Sequence, residues 1–392
     1  MADLSPSSSG APASAMVEGN RLLLIPGGPE RLEALIRLIG EARKTLRVLY
    51  YMFLDDEAGR RVREALIAAA ERGVEVWLLV DGFGSEAARD AFFQPLVESK
   101  VHFCRFSARY GRRYLLRNHQ KLALADGRRV LTGGFNVSDD YFGTNQAGAW
   151  RDLGLEVEGD GVSCLTGYFD NLFEWAAQPD GRIRDLRKLL QQHSVTGGKV
   201  RWLFGGPTRR LSPWARAVRE DMRRAKRLDL IAAYFAPSIG MLRRIAGIAR
   251  RGGAVRVVTA AKSDNTATIG AARNTYWWLL KRGVEIYEYQ PTKLHTKLFV
   301  VDDVVHIGSA NFDMRSLFLN LELMLRVEDR EFAAAMRRFV DGEIADSRHI
   351  TREVHQQQRT LFNRAKWAIA YFLVAVADYR ISRLLNFGAD GR

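Results

Sequence analysis

Aliphatic and β-branched runs alternate with helix-like patterns along this chain, and the alternation occurs twice. In the first half LRVLYYMF (46–53) reads as a buried strand. A helix over 58–72, a turn at Gly73 and the strand VEVWLLV (74–80) follow. In the second half LDLIAAYF (228–235) is a strand, followed by a helix reaching about Arg251 and the strand AVRVVTA (254–260). Each half then offers a short strand, VHFCRF (101–106) or VEIYEY (284–289). Strand–helix–strand alternation of this kind predicts an α/β protein, and its recurrence predicts two similar halves facing each other. The expected organisation is a disordered tail over 1–18, a first half over 19–177 and a connection over 178–198, helical in its middle. A second half over 199–350 and a basic and apolar tail over 351–392 complete the chain.

The two ends differ in kind. Residues 1–18 are rich in Ser, Ala, Pro and Gly, with neither a basic start nor an apolar stretch, which argues against a secretory signal. Near the other end Trp367–Ala377 reads WAIAYFLVAVA, an uncharged run flanked by Arg364 and Lys366 before it and by Arg380 and Arg383 after it. A bilayer-spanning helix needs about 20 apolar residues, so this run is too short. It suits a helix lying in a membrane interface, with Ile369, Phe372, Leu373 and Val376 clustered on one side. The competing reading is a core helix that closes the second half. On the interfacial reading, removing the chain from Arg364 onward leaves a folded body.

Composition adds the sign of the partner. Apolar residues make up 47% of the 392, as in a globular protein, and the net charge is +14. That excess calls for a polyanion, either nucleic acid or an anionic membrane surface. The basic stretch from Arg209 to Arg227 would serve either. Two cysteines, Cys104 and Cys164, form neither a disulfide framework nor a zinc site, and read as buried small side chains. No metal-ligand set and no cofactor motif is present.

The chemistry lies in a repeated motif. HQKLALADG carries His119, Lys121 and Asp126, and HTKLFVVDD carries His295, Lys297 and Asp302. Residues two apart on a strand point the same way, so each His–Lys pair can serve one phosphate. The imidazole would make bonds or move protons, and the ammonium would neutralise charge. Each motif runs on to a small-residue turn holding an amide, GGFN with Asn136 and GSAN with Ser309 and Asn311. The amides can donate to phosphoryl oxygens. A carboxylate follows in each half, Asp152 and Glu322, placed to accept from Nδ1–H of the histidine of its own half and fix its tautomer. Asp126 and Asp302 belong to the motif and count among its catalytic candidates, although their place at a strand end favours a turn role.

The paired motifs, with GGFNVSDDY in one half and GSANFDMRS in the other, resemble the phospholipase D superfamily. YYMFLDDEAG, RGVEVWLLVDGFGS, WRDL, AYFAPS and IGSANFDMRSLFLNLELML make the chain similar to bacterial cardiolipin synthases, over about residues 20–345. Within that family it is similar to members that lack amino-terminal transmembrane helices. The resemblance implies duplicated α/β/α sandwich halves sharing one site, and a two-step displacement without metal or cofactor. One histidine, expected to be His119, forms a phosphohistidine while the other, His295, acts as acid and then base. It implies phosphatidylglycerol as substrate, glycerol as leaving group and an anionic phospholipid membrane as partner, with nucleic acid not expected. The expected location is peripheral, on the cytoplasmic face of a bacterial cell membrane. The alternative function is a hydrolase or nuclease using the same pair of motifs. Oligomeric state is left open by the sequence.

Overall fold

The computed structural model describes residues 14–106, 116–178, 181–194, 196–208 and 211–377. The first half contains β1 (Ser14–Val17), β2 (Asn20–Ile25), β3 (Thr45–Tyr50), β4 (Glu75–Asp81), β5 (His102–Phe106), β6 (Leu122–Ala125), β7 (Arg129–Gly133) and β8 (Gly154–Glu158). They form one eight-stranded sheet in the order β1-β2-β8-β7-β6-β3-β4-β5. The second half contains β9 (Val200–Gly205), β10 (Arg227–Ala232), β11 (Phe235–Ala236), β12 (Ala254–Ala260), β13 (Glu285–Tyr289), β14 (Lys297–Val301), β15 (Val304–Gly308), β16 (Phe312–Asp313), β17 (Glu322–Glu328) and β18 (Ser347–His349). Eight of these form the sheet β18-β13-β12-β10-β14-β15-β17-β9, while β11 and β16 pair beside it. Read from corresponding edges, β5-β4-β3-β6-β7-β8-β2 matches β13-β12-β10-β14-β15-β17-β9 strand for strand. The sequence repeat is thus a structural repeat, and the α/β class and duplicated halves follow directly.

The strands are apolar on both sides because both sheet faces are covered. Along β3, Leu46, Val48 and Tyr50 face a core shared with the outer helices Gly28–Glu41 and Glu57–Glu71. Leu49 points the other way, into a cluster drawn from both halves. That central cluster takes Leu165, Phe169 and Leu172 from the helix Cys164–Ala177, and Phe332 and Met336 from the helix Arg330–Ala345. It joins the two sheets into one body. The helix Ile183–His193 occupies the connecting stretch and adds Leu186 and Leu190 to the same cluster.

Two strands stop earlier than their apolar runs. After Tyr50 the backbone leaves the ladder, and the Met52 amide bonds Asn136 Oδ1 at 3.2 Å. After Ala232 the chain likewise turns, so that Phe235 and Ala236 pair with β16. The abandoned ends put Tyr51 and Tyr234 on the wall of a cavity.

Residues 14–17 depart from the expected disordered tail. They form β1, joined to β2 through Glu18 and Gly19, both at positive φ (47° and 74°). That is the geometry of a two-residue hairpin whose twist matches its strands. Residues 1–13 lie outside the described residues, as do Arg380 and Arg383.

The carboxy-terminal run is also corrected. The helix Leu361–Tyr371 and the wider turn Phe372–Ala377 lie against the helix Thr266–Leu280, burying Trp367, Ala370 and Ala375. Trp367 stacks on His355 at 5.3 Å, and the Tyr371 hydroxyl donates to the Pro237 carbonyl at 3.0 Å. A segment packed in this way belongs to the second half and cannot be removed without uncovering its core. Only its outer side remains exposed, with Leu361, Phe362, Ile369, Phe372 and Leu373 all more than half accessible. Trp367→Ala should therefore cost about 3 kcal/mol, read as a lower urea midpoint with an unchanged slope. Ile369→Ala should move that midpoint very little. An unshifted midpoint for Trp367→Ala would show that the helix is not docked.

Candidate active site

The site is assembled by two short crossings between the halves. Just before β6 the first motif runs beside the start of β17. The His119 amide donates to the Leu321 carbonyl at 2.9 Å, and the Leu321 amide to the Arg117 carbonyl at 2.9 Å. The second motif repeats the arrangement against residue 151. The Arg151 amide donates to the Lys293 carbonyl at 2.8 Å, and the His295 amide to the Arg151 carbonyl at 2.7 Å. Asp81 pins the first crossing from below, its Oδ2 accepting from the Asn118 amide at 2.7 Å.

These crossings decide which carboxylate serves which histidine. Glu322 follows Leu321, and its Oε2 lies 3.0 Å from His119 Nδ1. Asp152 follows Arg151, and its Oδ2 lies 2.6 Å from His295 Nδ1. The expectation that each carboxylate orients the histidine of its own half is therefore overturned. Each half supplies the carboxylate for the other, because the backbone bridges place the residue before each acid against the opposite motif.

The one-residue differences between the halves follow from the same contacts. Ser309 Oγ donates to Glu322 Oε2 at 2.5 Å, bracing the longer acid. At the corresponding place stands Gly134, where a Cβ would come within 2.4 Å of Asp152 Oδ1. The shorter acid thus needs a glycine beside it. Buried Arg31 holds the backbone here, donating to the carbonyls of Asp152 and Tyr141 at 2.7 Å each.

Each lysine folds back on its own motif, Lys121 Nζ reaching the His119 carbonyl at 2.5 Å and Lys297 Nζ the His295 carbonyl. Both are fully enclosed, and burial pushes them down to about 7 for Lys121 and about 8 for Lys297. Burial and the lysine charges lower both imidazoles, His295 to about 3 and His119 well below its ordinary value. The acids diverge. Burial lifts Glu322 to about 8. Asp152 is equally buried, but Lys297 and His295 outweigh that burial and hold it below the usual carboxylate range. The stronger negative field therefore lies at His295.

The remaining motif residues separate into two groups. Asn136 and Asn311 line the same cavity as the histidines. Asn136 Nδ2 already donates to the Tyr141 hydroxyl at 2.9 Å, while Asn311 Oδ1 has no partner among the described residues. Asp126 and Asp302 sit elsewhere, at positive φ (53° and 48°) in the turns after β6 and β14. Asp126 accepts from the amides of Arg43, Lys44 and Thr45, and Asp302 from those of Lys226 and Arg227. Their carboxylates bind the backbone leading into β3 and β10, which sets the register of the strands flanking each motif.

The cavity encloses about 500 Å³ and contains residues that the sequence reading passed over, among them Tyr51, Arg117, Tyr141, Trp150, Tyr234 and Asp264. Tyr51 packs edge-on to His119 at 5.0 Å, and Tyr141 and Trp150 contact the His295 ring at 5.1 and 5.3 Å. Two of them carried a usable signal. Tyr51 and Tyr234 stand one and two residues beyond the equivalent strands β3 and β10, and the register matches Tyr234 with Met52, which lines the same cavity.

Comparison with known proteins agrees with this geometry. A family model described as "Cardiolipin synthase, PLD-like domain" matches residues 35–152 and 218–342, one stretch in each half. Cardiolipin synthase A of Pseudomonas entomophila is 31% identical over 353 residues, covering 87% of this chain and 72% of that protein. Its counterpart in Pseudomonas fluorescens is 30% identical over 351 residues with the same coverage. Among solved structures, phosphatidylserine synthase of Haemophilus influenzae superposes with a TM-score of 0.72 at 14% identity, over 95% of this chain and 96% of that one. Polyphosphate kinase of Porphyromonas gingivalis gives 0.58 at 14% identity, over 90% of this chain and 52% of that one. The two structural likenesses establish the fold, while the family model and the Pseudomonas relatives establish the lineage: this chain belongs to the cardiolipin synthase family of phospholipase D-like proteins.

Proposed function

We propose that this chain is a cardiolipin synthase, a phosphatidyltransferase that joins two phosphatidylglycerol molecules and releases glycerol. The observation that carries the reading is the pair of histidines on one cavity, each held at Nδ1 by a carboxylate from the opposite half. Orientation through Nδ1 leaves Nε2 of each ring for the substrate. His119 Nε2 attacks phosphorus, and the bond to the glycerol oxygen breaks as His295 gives that oxygen a proton. A second phosphatidylglycerol then enters. His295 takes the proton from its headgroup hydroxyl, whose oxygen displaces Nε2 from phosphorus.

The electrostatics support this division of labour. An imidazolium must form at the acid. Burial and Lys297 hold His295 down to about 3, and ionised Asp152 at 2.6 Å together with the arriving phosphodiester anion acts in the opposite direction. Glu322, lifted by burial, places less negative charge on His119, which must be neutral to attack. A phosphodiester anion arriving between Lys121 and Lys297 holds both as ammonium ions. They then stabilise the charge that grows on the non-bridging oxygens, with Asn136 and Asn311 at the cavity wall.

The same reading gives the enzyme a membrane surface. Among the described residues no helix is long and apolar enough to cross a membrane. The outer side of the helix Leu361–Tyr371 and its continuation carries Leu361, Phe362, Ile369, Phe372 and Leu373, with exposed Arg364 and Lys366 flanking them. An apolar face bordered by cations suits the interface of an anionic leaflet. With a net charge of +14, the chain is drawn to the negative potential of the cytoplasmic face of a bacterial cell membrane.

Two experiments test the proposal. Purified protein with labelled phosphatidylglycerol in vesicles should yield a dimeric phospholipid and free glycerol, undiminished by EDTA. His119→Ala and His295→Ala should each abolish turnover, and the double variant should be no worse than either. Cleavage of DNA with no lipid product would replace the proposal with a nuclease. In the second, replacing Ile369, Phe372 and Leu373 together by Ser should leave a folded protein that no longer sediments with anionic vesicles. The three side chains contribute roughly 4.5 kcal/mol at ~1.5 kcal/mol each. Undiminished sedimentation at moderate salt would mean that the basic body alone holds the membrane.

A further inference from the structure

Lys121 and Lys297 lie just behind the histidines and make the cavity a place for an anion, yet an acidic side chain opens into it. Asp264 lines the cavity beside Tyr234. The Tyr234 hydroxyl donates to Asp264 Oδ1 at 2.7 Å and Ser263 Oγ donates to the same oxygen at 3.0 Å. Both described side-chain hydrogen bonds thus fall on one oxygen of the carboxylate. Burial opposes its charge, but the Tyr234 and Ser263 bonds and the nearby His295 outweigh burial and hold Asp264 below the usual carboxylate range. It is ionised at neutral pH. Among the described residues no arginine or lysine pairs with it.

An ionised carboxylate repels a phosphodiester, and Asp264, exposed on the cavity wall with one oxygen free of side-chain donors, is available to a hydrogen-bond donor of the substrate. A second acceptor lines the same cavity. Asn311 is 4% exposed, and its Oδ1 has no hydrogen-bond partner among the described residues. Buried acceptors are ordinarily satisfied. Asn320 Oδ1 on the same wall is also without a partner among the described residues, so Asp264 and two neutral acceptors, with Asp313 as a further carboxylate, line the space where the substrate must lie. Its alcohol portion belongs near His295, which exchanges a proton with the alcohol oxygen and lines the same cavity as Asp264.

We propose that Asp264, together with Asn311 Oδ1, accepts hydrogen bonds from the free hydroxyls of a polyol alcohol as that alcohol leaves or enters at phosphorus. The site thereby selects a glycerol-bearing headgroup over a simple primary alcohol. This rests on the phosphatidyl-transfer reading and adds the residues that recognise the alcohol. An ammonium-bearing alcohol would also suit Asp264 by charge. It would, however, meet the Arg117 and Arg315 side chains on the same cavity wall and the two lysines behind the histidines. A neutral polyol meets no such repulsion. A cavity that hydrogen-bonds a hydroxyl discriminates strongly against the analogue lacking it, because its own polar groups are then left unpaired.

The test is an alcohol competition on the full-length protein. A short-chain phosphatidyl donor is offered with glycerol, methanol or ethanolamine, and kcat/KM is compared between alcohols for the wild type and Asp264→Asn. The wild type should prefer glycerol to both. The glycerol-to-methanol ratio should fall at least tenfold in Asp264→Asn and by a smaller factor in Tyr234→Phe, which removes the hydroxyl holding the carboxylate. An unchanged ratio would overturn the proposal, as would equal loss with every alcohol, since Asp264 would then serve the reaction itself or the fold. A wild-type preference for ethanolamine that Asp264→Asn abolishes would overturn it in favour of an ammonium site. Failure of the wild type to form a dimeric lipid from phosphatidylglycerol would instead strike the phosphatidyl-transfer reading. The alcohol ratio is measured separately and does not depend on that product.

Discussion

Neither of the two motif histidines, His119 and His295, is oriented by its own half. The acids that hold them, Glu322 for His119 and Asp152 for His295, come from the opposite sheets, at 3.0 and 2.6 Å. A backbone bridge just upstream of each acid fixes the exchange, pairing Asn118 with Leu321 and Arg151 with Leu294. Much else follows from this constraint. The halves must meet face to face, so the strands leading from the motifs sit centrally, β6 between β3 and β7 and β14 between β10 and β15. The central cluster that joins the sheets must be rigid, since a displacement there would separate each imidazole from its carboxylate. A half folded alone would present a histidine without its orienting acid.

The same exchange makes the site uneven. Burial depresses both lysines and both histidines, and the lysine charges lower the imidazoles further. The acids respond differently because their surroundings differ. Asp152 lies close against His295, with Gly134 leaving it room, whereas Glu322 is braced by Ser309. One carboxylate stays charged and the other is lifted. Two half-sites that descend from one pattern are thereby separated electrostatically, the condition for assigning an acid and a nucleophile to chemically identical side chains.

How much of this the sequence carried depended on whether the signal was local. The paired motifs, the strand pattern of both halves and the glycine turns are local, and they were legible. Gly133 and Gly308 adopt φ of 154° and 156°, where a Cβ would strike the carbonyls of Leu153 and Leu323, so the glycine marks the turn. Pairing across the halves is not local, since nothing in the spacing of His119 and Asp152 says which imidazole an acid will reach. The carboxy-terminal run misled for a related reason. Its apolar residues lie on both sides of a helix, and only the position of the helix Thr266–Leu280 determines that Trp367 and Ala370 turn inward while Ile369 and Leu373 stay out. Residues 14–17 look like a polar tail until β2 offers an edge to pair with. Asp264 has no motif around it and acquires meaning only from the cavity it lines.

The central claim, that each carboxylate crosses to the other half, can be read directly from the protons it holds. In protein labelled with ¹⁵N-histidine, the Nδ1 protons of His119 and His295 should appear far downfield, assigned by His119→Gln and His295→Gln. Asp152→Asn should displace the His295 resonance and leave that of His119 in place, and Glu322→Gln should do the reverse. If Asp152→Asn displaced the His119 resonance instead, each acid would serve the histidine of its own half, and the exchange between the halves would be refuted.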